Sequence, residues 1–200
     1  MVGKLVRVER PEALPGLHSP HAGFDEPFEM LGACHDRVIR MIGLLGKLEL
    51  HLAQRGCDAA ARQAATDVMR YFDLAAPLHH QDEELHVFPA LMEAGSAELK
   101  HLVLRLQADH REMQTLWCDV RTTLEAIAHG PDTPAMPLDA STRQRWASFA
   151  ELHRKHLAAE DAQAYPAAQA TLLPDAVRAM SVDMMARRSV GSTASEADRA

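Results

Sequence analysis

The stretch His79-His80-Gln81-Asp82-Glu83-Glu84-Leu85-His86-Val87-Phe88-Pro89 decides how this chain reads. His79 and Glu83 stand four residues apart, and on an α-helix such residues lie one above the other on the same face. Imidazole nitrogen and carboxylate oxygen are both ligands for iron, manganese or zinc. The pattern returns as His156-Leu157-Ala158-Ala159-Glu160-Asp161-Ala162-Gln163-Ala164-Tyr165-Pro166. Histidine, glutamate, aromatic and proline all move by one common interval: 79 to 156, 83 to 160, 88 to 165 and 89 to 166. A shared offset over four chemically distinct positions points to a repeated helical unit rather than to composition.

Composition agrees with a helical protein. The 200 residues are 47% apolar but only 4% aromatic. Abundant Ala, Leu and Met favour helices over sheets. The length suits one domain with a full core plus tails. A net charge of -7, with no concentrated basic face, argues against a nucleic-acid partner. Cys34, Cys57 and Cys118 are odd in number, far apart and form no C-x-x-C, which argues against a disulfide framework or a zinc knuckle. Residues 1–10 lack the apolar core of a signal peptide, and no apolar run reaches membrane-spanning length. The expectation is a reducing cytoplasm and no membrane partner. Oligomeric state is not legible.

Residues 1–24 hold Pro11, Pro15, Pro20, Gly16 and Gly23 and read as an extended arm, with His18 and His21 as surface histidines. A first helix is expected from Asp25 or Glu26, with Pro27 in its first turn and the stripe Leu31, His35, Val38, Ile42, Leu45, Leu48, Leu52, ending at Gly56. Asp58 caps a second, whose stripe is Val68, Phe72, Ala75, His79, Glu83 and His86, with a kink or split at Pro77. Ser96 caps a third, striped Leu99, Val103, Leu106, His110, Met113, Trp117, Val120, Leu124, Ile127. A fourth starts near Asp139 or Ser141 and runs Trp146, Phe149, His153, His156, Glu160, Gln163, with Tyr165-Pro166 interrupting it. The domain reading is a bundle over 25–173, a short C-terminal helix over 174–188 and a disordered tail over 189–200.

Four amphipathic helices with short connections predict an all-α, up-down-up-down four-helix bundle. Each inner stripe carries polar residues near mid-helix. In antiparallel neighbours these meet at one level, so His35, His79, Glu83, His110, His156 and Glu160 converge inside the bundle. Taken singly, His35 reads as a core histidine bonded to backbone. Taken together, four imidazoles and two carboxylates make a costly core unless metal offsets the cost. Two lone histidines and two His-x3-Glu pairs give each of two metals two imidazoles, with both carboxylates bridging. A water-derived oxygen bridge then leaves one octahedral position open on each. His80 and Glu84 fall about 100° round the helix, on an expected solvated face. His153 reads as a partner of a ligand or as an added ligand, His86 is ambiguous, and Asp36, Asp109 and Asp161 read as ligand neighbours or solvated charges.

These residues resemble the hemerythrin-like, or HHE cation-binding, family: His35, then His79/Glu83/Phe88-Pro89, His110, and His156/Glu160/Tyr165-Pro166. The resemblance spans about residues 25–188. It implies a four-helix bundle with a non-haem di-iron centre, carboxylate-bridged with an oxo or hydroxo bridge; manganese or zinc are the alternatives. The third helix has Gln114 where oxygen carriers of the family have H-x3-H, and Glu160 stands where they have a later aspartate. Both features are more similar to the iron-sulfur-cluster repair proteins. The function implied is binding of O2 or NO, or supply of iron, in an oxidative or nitrosative stress response, with an iron-sulfur protein as client. The alternatives are O2 storage or sensing, a peroxide or NO reductase, and metal storage. No nucleotide loop or nucleophile–base pair in the sequence supports a stronger enzyme reading.

Overall fold

Pro27 opens the first helix, where its missing N–H has no partner to lose, and Glu26 precedes it. The computed structural model describes residues 26–197, with side chains described through Arg188. The expected arm over 1–24, with His18 and His21, lies outside the described residues. Helix α1 is Pro27–Arg55. The second rod is α2 (Ala59–Arg70), a π turn (Tyr71–Ala75), α3 (Ala76–Asp82), a second π turn (Glu83–Val87) and α4 (Phe88–Ala94). Helix α5 is Ala97–His129. The fourth rod is α6 (Ala140–Ala159), a π turn (Glu160–Ala164) and α7 (Tyr165–Thr171), and α8 spans Pro174–Ala197. The described residues form no strand, only an isolated bridge between Cys57 and Thr133.

Caps fall where the side chains allow. Asp58, Ser96 and Asp139 accept from Ala61, Leu99 and Thr142 backbone N–H groups, covering donors that helix starts leave open. Gly56 ends α1 with φ +85, and a Cβ there would collide with the Thr133 carbonyl oxygen. Only glycine allows the α1–α2 connection to pass this close to the loop before α6.

The prolines do not break the rods as the sequence suggests. Pro77, Pro89 and Pro166 each follow a π turn by two residues. Proline cannot donate to its i−4 carbonyl and crowds it. The wider turn accommodates this: Ala76, Phe88 and Tyr165 N–H groups bond five residues back, to Tyr71, Glu83 and Glu160 carbonyls. Each π turn inserts one residue into the helical period and rotates the face beyond it. Ala76 is therefore buried rather than Ala75, Val87 rather than His86, and Ala164 rather than the exposed Gln163.

Helix α1 packs on α2 and α6, and α5 packs on the same two helices, closing a four-sided bundle. Its interior holds two apolar clusters. One contains Val38, Ile42, Phe72, Ala76, Val120, Leu124, Trp146 and Phe149. The other contains Leu31, Phe88, Leu91, Val103, Leu106, Ala164 and Tyr165. Burying each large side chain here stabilises the fold by about 1.5–3 kcal/mol. His35 falls between Leu31 and Val38 along α1, so a polar layer separates the clusters.

Helix α8 lies against α1 and α3 and adds Met180 and Met184 to the second cluster. Arg187 and Arg188 each donate to the fully buried Asp82, at 2.6 Å. Helix α8 runs on to Ala197.

Candidate metal centre

The six residues singled out from the sequence are all buried and all meet in the polar layer. Glu83 Oε1 lies 3.4 Å from His79 Nε2 and 3.9 Å from His35 Nε2, while its Oε2 lies 3.4 Å from His110 Nε2. Glu160 Oε2 lies 3.2 Å from His35 Nε2, and its Oε1 lies 2.9 Å from His156 Nε2. Two overlapping sets result, His35/His79/Glu83/Glu160 and Glu83/His110/His156/Glu160, each with one ligand atom per residue within 4.8 Å of the others. Both carboxylates belong to both sets. Each starts a π turn, so the widened turns sit at the centre itself.

Three imidazoles are oriented from behind by carboxylates. His35 Nδ1 pairs with Asp161 at 2.8 Å, His110 Nδ1 with Glu84 at 3.0 Å, and His156 Nδ1 with Asp109 at 3.3 Å. Holding the proton on Nδ1 leaves Nε2 facing the centre as a donor atom. Gln107 Nε2 also donates to Glu84, at 2.7 Å. Asp109, Asp161 and Glu84 are thus partners of the histidines, which corrects the solvated-face reading of Glu84; Asp36 is exposed.

Tyr165 contributes more than an aromatic ring. Its hydroxyl donates to Glu83 Oε1 and lies 2.8 Å from His35 Nε2. Phe88, its counterpart in the repeat, stacks on His110 as Tyr165 stacks on His35. The sequence carries the ring at both positions, but the direction of one hydroxyl becomes visible only in three dimensions.

Electrostatics reflect how tightly charge is packed. Burial lowers His79, and burial with neighbouring His110 and His79 holds His80 well below the usual range. Burial would lower His35 too, but the close carboxylates of Glu160 and Glu83 outweigh it and push this imidazole up to about 10. Burial would raise Glu83, yet the neighbouring imidazoles of His79, His110 and His35 hold the carboxyl well below its ordinary value. Burial drives the Tyr165 phenol well upward, with Glu83 and Glu160 adding to it.

The donor set fits a metal. Both ring nitrogens of His79, Oε2 of Glu83 and both oxygens of Glu160 are buried without a hydrogen-bond partner among the described residues. Several lie near an imidazole nitrogen, but without hydrogen-bond geometry. Leaving such groups unmatched costs a few kcal/mol each. A divalent ion bonds to these lone pairs directly, and imidazole with carboxylate is a donor set suited to iron.

Other histidines fall outside the two sets. His153 bonds through Nδ1 to the Phe149 carbonyl at 2.9 Å and packs against Phe72 and Phe149, and burial lowers it to about 4. His86 pairs with Asp183 of α8 at 2.7 Å. His80 is not on a solvated face: it is half-buried and stacks on His110 with ring centroids 4.0 Å apart. A cleft of ≈ 340 Å³ lined by Phe72, His80, Gln107, His110, Gln114 and His153 reaches this edge of the centre.

Comparison with known proteins agrees with the geometry. The hemerythrin HHE cation binding domain matches residues 26–168, and the chain belongs to that family. An uncharacterized protein of Haemophilus influenzae is 30% identical over 169 residues, covering 84% of this chain and 94% of that protein. No helix among the described residues is long and apolar enough to cross a membrane.

Proposed function

We propose that His35, His79, Glu83, His110, His156 and Glu160 hold two iron ions, with Glu83 and Glu160 as bridges, and that the protein binds O2, NO or peroxide there. The observation that carries this reading is the sharing of both carboxylates: each sends one oxygen toward the His35 side and the other toward His110 or His156. When bound, such a pair of ions supplies an open coordination position and redox chemistry for a small ligand.

The chain's own groups do the rest. Asp161, Glu84 and Asp109 hold three imidazoles with Nε2 inward. The two apolar clusters keep water from the polar layer on either side. The cleft beside His110 gives a small molecule its approach. Tyr165 offers a hydroxyl beside His35, where it could hydrogen-bond a ligand.

The two His-x3-Glu pairs and Gln114 support a role in a cytoplasmic response to oxidative or nitrosative stress, by binding the diatomic or supplying iron. Protein expressed in iron-supplemented medium tests this. Two iron atoms per chain, with two anomalous peaks spaced as a bridged pair, support the centre. One peak held by all six residues overturns it. Optical spectra under O2 and NO then separate carriage, seen as a stable adduct, from consumption of the ligand.

A further inference from the structure

We propose that the cleft between the second rod and α5 binds a small aromatic molecule carrying a hydroxyl group, whose O–H donates to His153 Nε2. The site is made of the chain's own side chains and does not require the two-metal reading. Its volume is ≈ 340 Å³. Pockets that hold organic ligands span roughly 300–1,000 Å³, whereas a diatomic needs little more than the roughly 30 Å³ of a water molecule. Phe72 of the first π turn, Trp117 of α5 and Phe149 of α6 all line the cleft, with ring centroids 4.9–5.6 Å apart. The Trp117 indole is fixed by its N–H, which donates to Asp73 at 3.0 Å. Met113 adds a thioether, a favourable contact for a ring edge.

His153 gives this apolar cleft a directional group. The residue is 2% exposed. Its Nδ1 donates to the Phe149 carbonyl at 2.9 Å, which commits the ring proton and leaves a lone pair on Nε2. Burial keeps the ring uncharged near neutral pH. Nε2 has no hydrogen-bond partner among the described residues, and it is not one of the sealed polar atoms. It therefore opens onto the cleft that His153 lines. An acceptor held this deep is matched by a ligand with a proton to donate. Neither O2 nor NO has one. A phenol does, and its ring lies against the aromatic residues while its hydroxyl meets Nε2. His80 and His110 line the same cleft, so the bound ring sits at the edge of the polar layer.

Calorimetric titration of the full-length protein with phenol tests this, with toluene as the ring that has no proton to donate. Phenol should bind saturably, one molecule per chain. His153→Phe keeps a ring against Phe72 and Phe149 but removes the acceptor. It should weaken phenol about fivefold, the effect of one hydrogen bond, and leave toluene unchanged. No saturable binding of phenol, or phenol and toluene affected alike by the substitution, overturns the proposal. Should the variant fail to fold, a crystal structure of the wild type with phenol decides: the hydroxyl belongs within hydrogen-bond distance of Nε2, and phenol bound elsewhere or not at all overturns it. A new visible charge-transfer band marks phenolate on iron instead of phenol in the cleft and also overturns it. Metal analysis of the same sample separates the two readings. Phenol binding with fewer than two iron atoms per chain would sink the metal pair and leave the cleft site standing.

Discussion

Tyr165 stacks on His35 with ring centroids 5.0 Å apart, and its hydroxyl lies 2.8 Å from His35 Nε2 while donating to Glu83. One phenol thereby links the lone histidine of α1 to the glutamate that begins the second π turn. Phe88 occupies the matching position in the other half, so the bundle accepts a ring without a hydroxyl there. Tyr165→Phe should fold with its packing intact but lose about 1–3 kcal/mol, the cost of leaving buried charged groups short of a hydrogen bond. Urea denaturation of the metal-free protein measures this. Equal stability would mean the hydroxyl makes no such bond in solution.

The glutamates should separate by role. Glu83→Ala and Glu160→Ala each remove a group shared by both ligand sets, so each should cost the protein its metal pair. Glu84→Ala removes only the partner of His110 Nδ1. Loss of such an orienting group typically lowers metal affinity 10–100-fold without abolishing the site. Metal content after dialysis against a weak chelator should therefore rank Glu84→Ala well above the other two. Equal loss in all three would contradict the assignment of bridges.

Much of this was legible in the chain because α1 and α5 keep an unbroken helical period. Leu31 through Leu52 are buried as their spacing predicts, and in α5 Val103, Leu106, His110, Met113, Val120 and Leu124 are buried while Leu99, Trp117 and Ile127 of the same stripe are half-buried. The two His-x3-Glu pairs were legible for the same reason, since each pair spans a single turn. What failed was register beyond a π turn. A constant period carried across Tyr71–Ala75, Glu83–Val87 and Glu160–Ala164 slips by one residue, hence Ala75 for Ala76, His86 for Val87 and Gln163 for Ala164. The prolines marked these places, yet a proline alone does not say whether a helix kinks, ends or widens. The partners Asp109, Asp161 and Glu84 were out of reach for a different reason. A carboxylate that orients a histidine on another helix has no fixed sequence distance from it.

Asp82 is fully buried between two guanidinium groups of α8, next to Glu83 in the chain. Removing one side of a buried ion pair costs about 3–5 kcal/mol, because the remaining charge stays desolvated. Asp82→Ala should lower stability on that scale and loosen α8, seen as faster proteolysis of the C-terminal helix. Stability unchanged from wild type would mean that the arginines do not hold α8 through this residue.

His153 should make the fold acid-sensitive. Burial lowers it from 6.5 to about 4, so between those values the unfolded chain binds a proton that the folded chain does not. Its contribution is intact above pH 6.5 and is lost as pH falls toward 4. The shift corresponds to about 3 kcal/mol across that window. His153→Gln keeps a donor for the Phe149 carbonyl but cannot titrate. The stability difference between wild type and variant, measured by urea at pH 7 and pH 4.5, should move in favour of the variant at the lower pH. A constant difference would show that His153 titrates normally.

Metal removal should be felt first at the π turns. Metal binds the folded bundle, with its ligands converged, far better than the unfolded chain, so it stabilises folding by mass action. At a free-metal excess of about 100-fold over the dissociation constant this amounts to roughly 2.7 kcal/mol. Without metal, His79 and Glu160 keep buried polar atoms with no hydrogen-bond partner among the described residues, and Glu83 keeps one such oxygen. The two glutamates sit at the start of Glu83–Val87 and Glu160–Ala164, where the backbone is already widened. Their strain should therefore be relieved by local opening there rather than at the outer ends of α1 or α5. The metal-free protein should melt several degrees lower, and amide hydrogen exchange should rise most around His79–Val87 and His156–Ala164. If those segments exchange identically with and without chelator, while metal analysis confirms removal, the six residues do not hold metal inside the bundle.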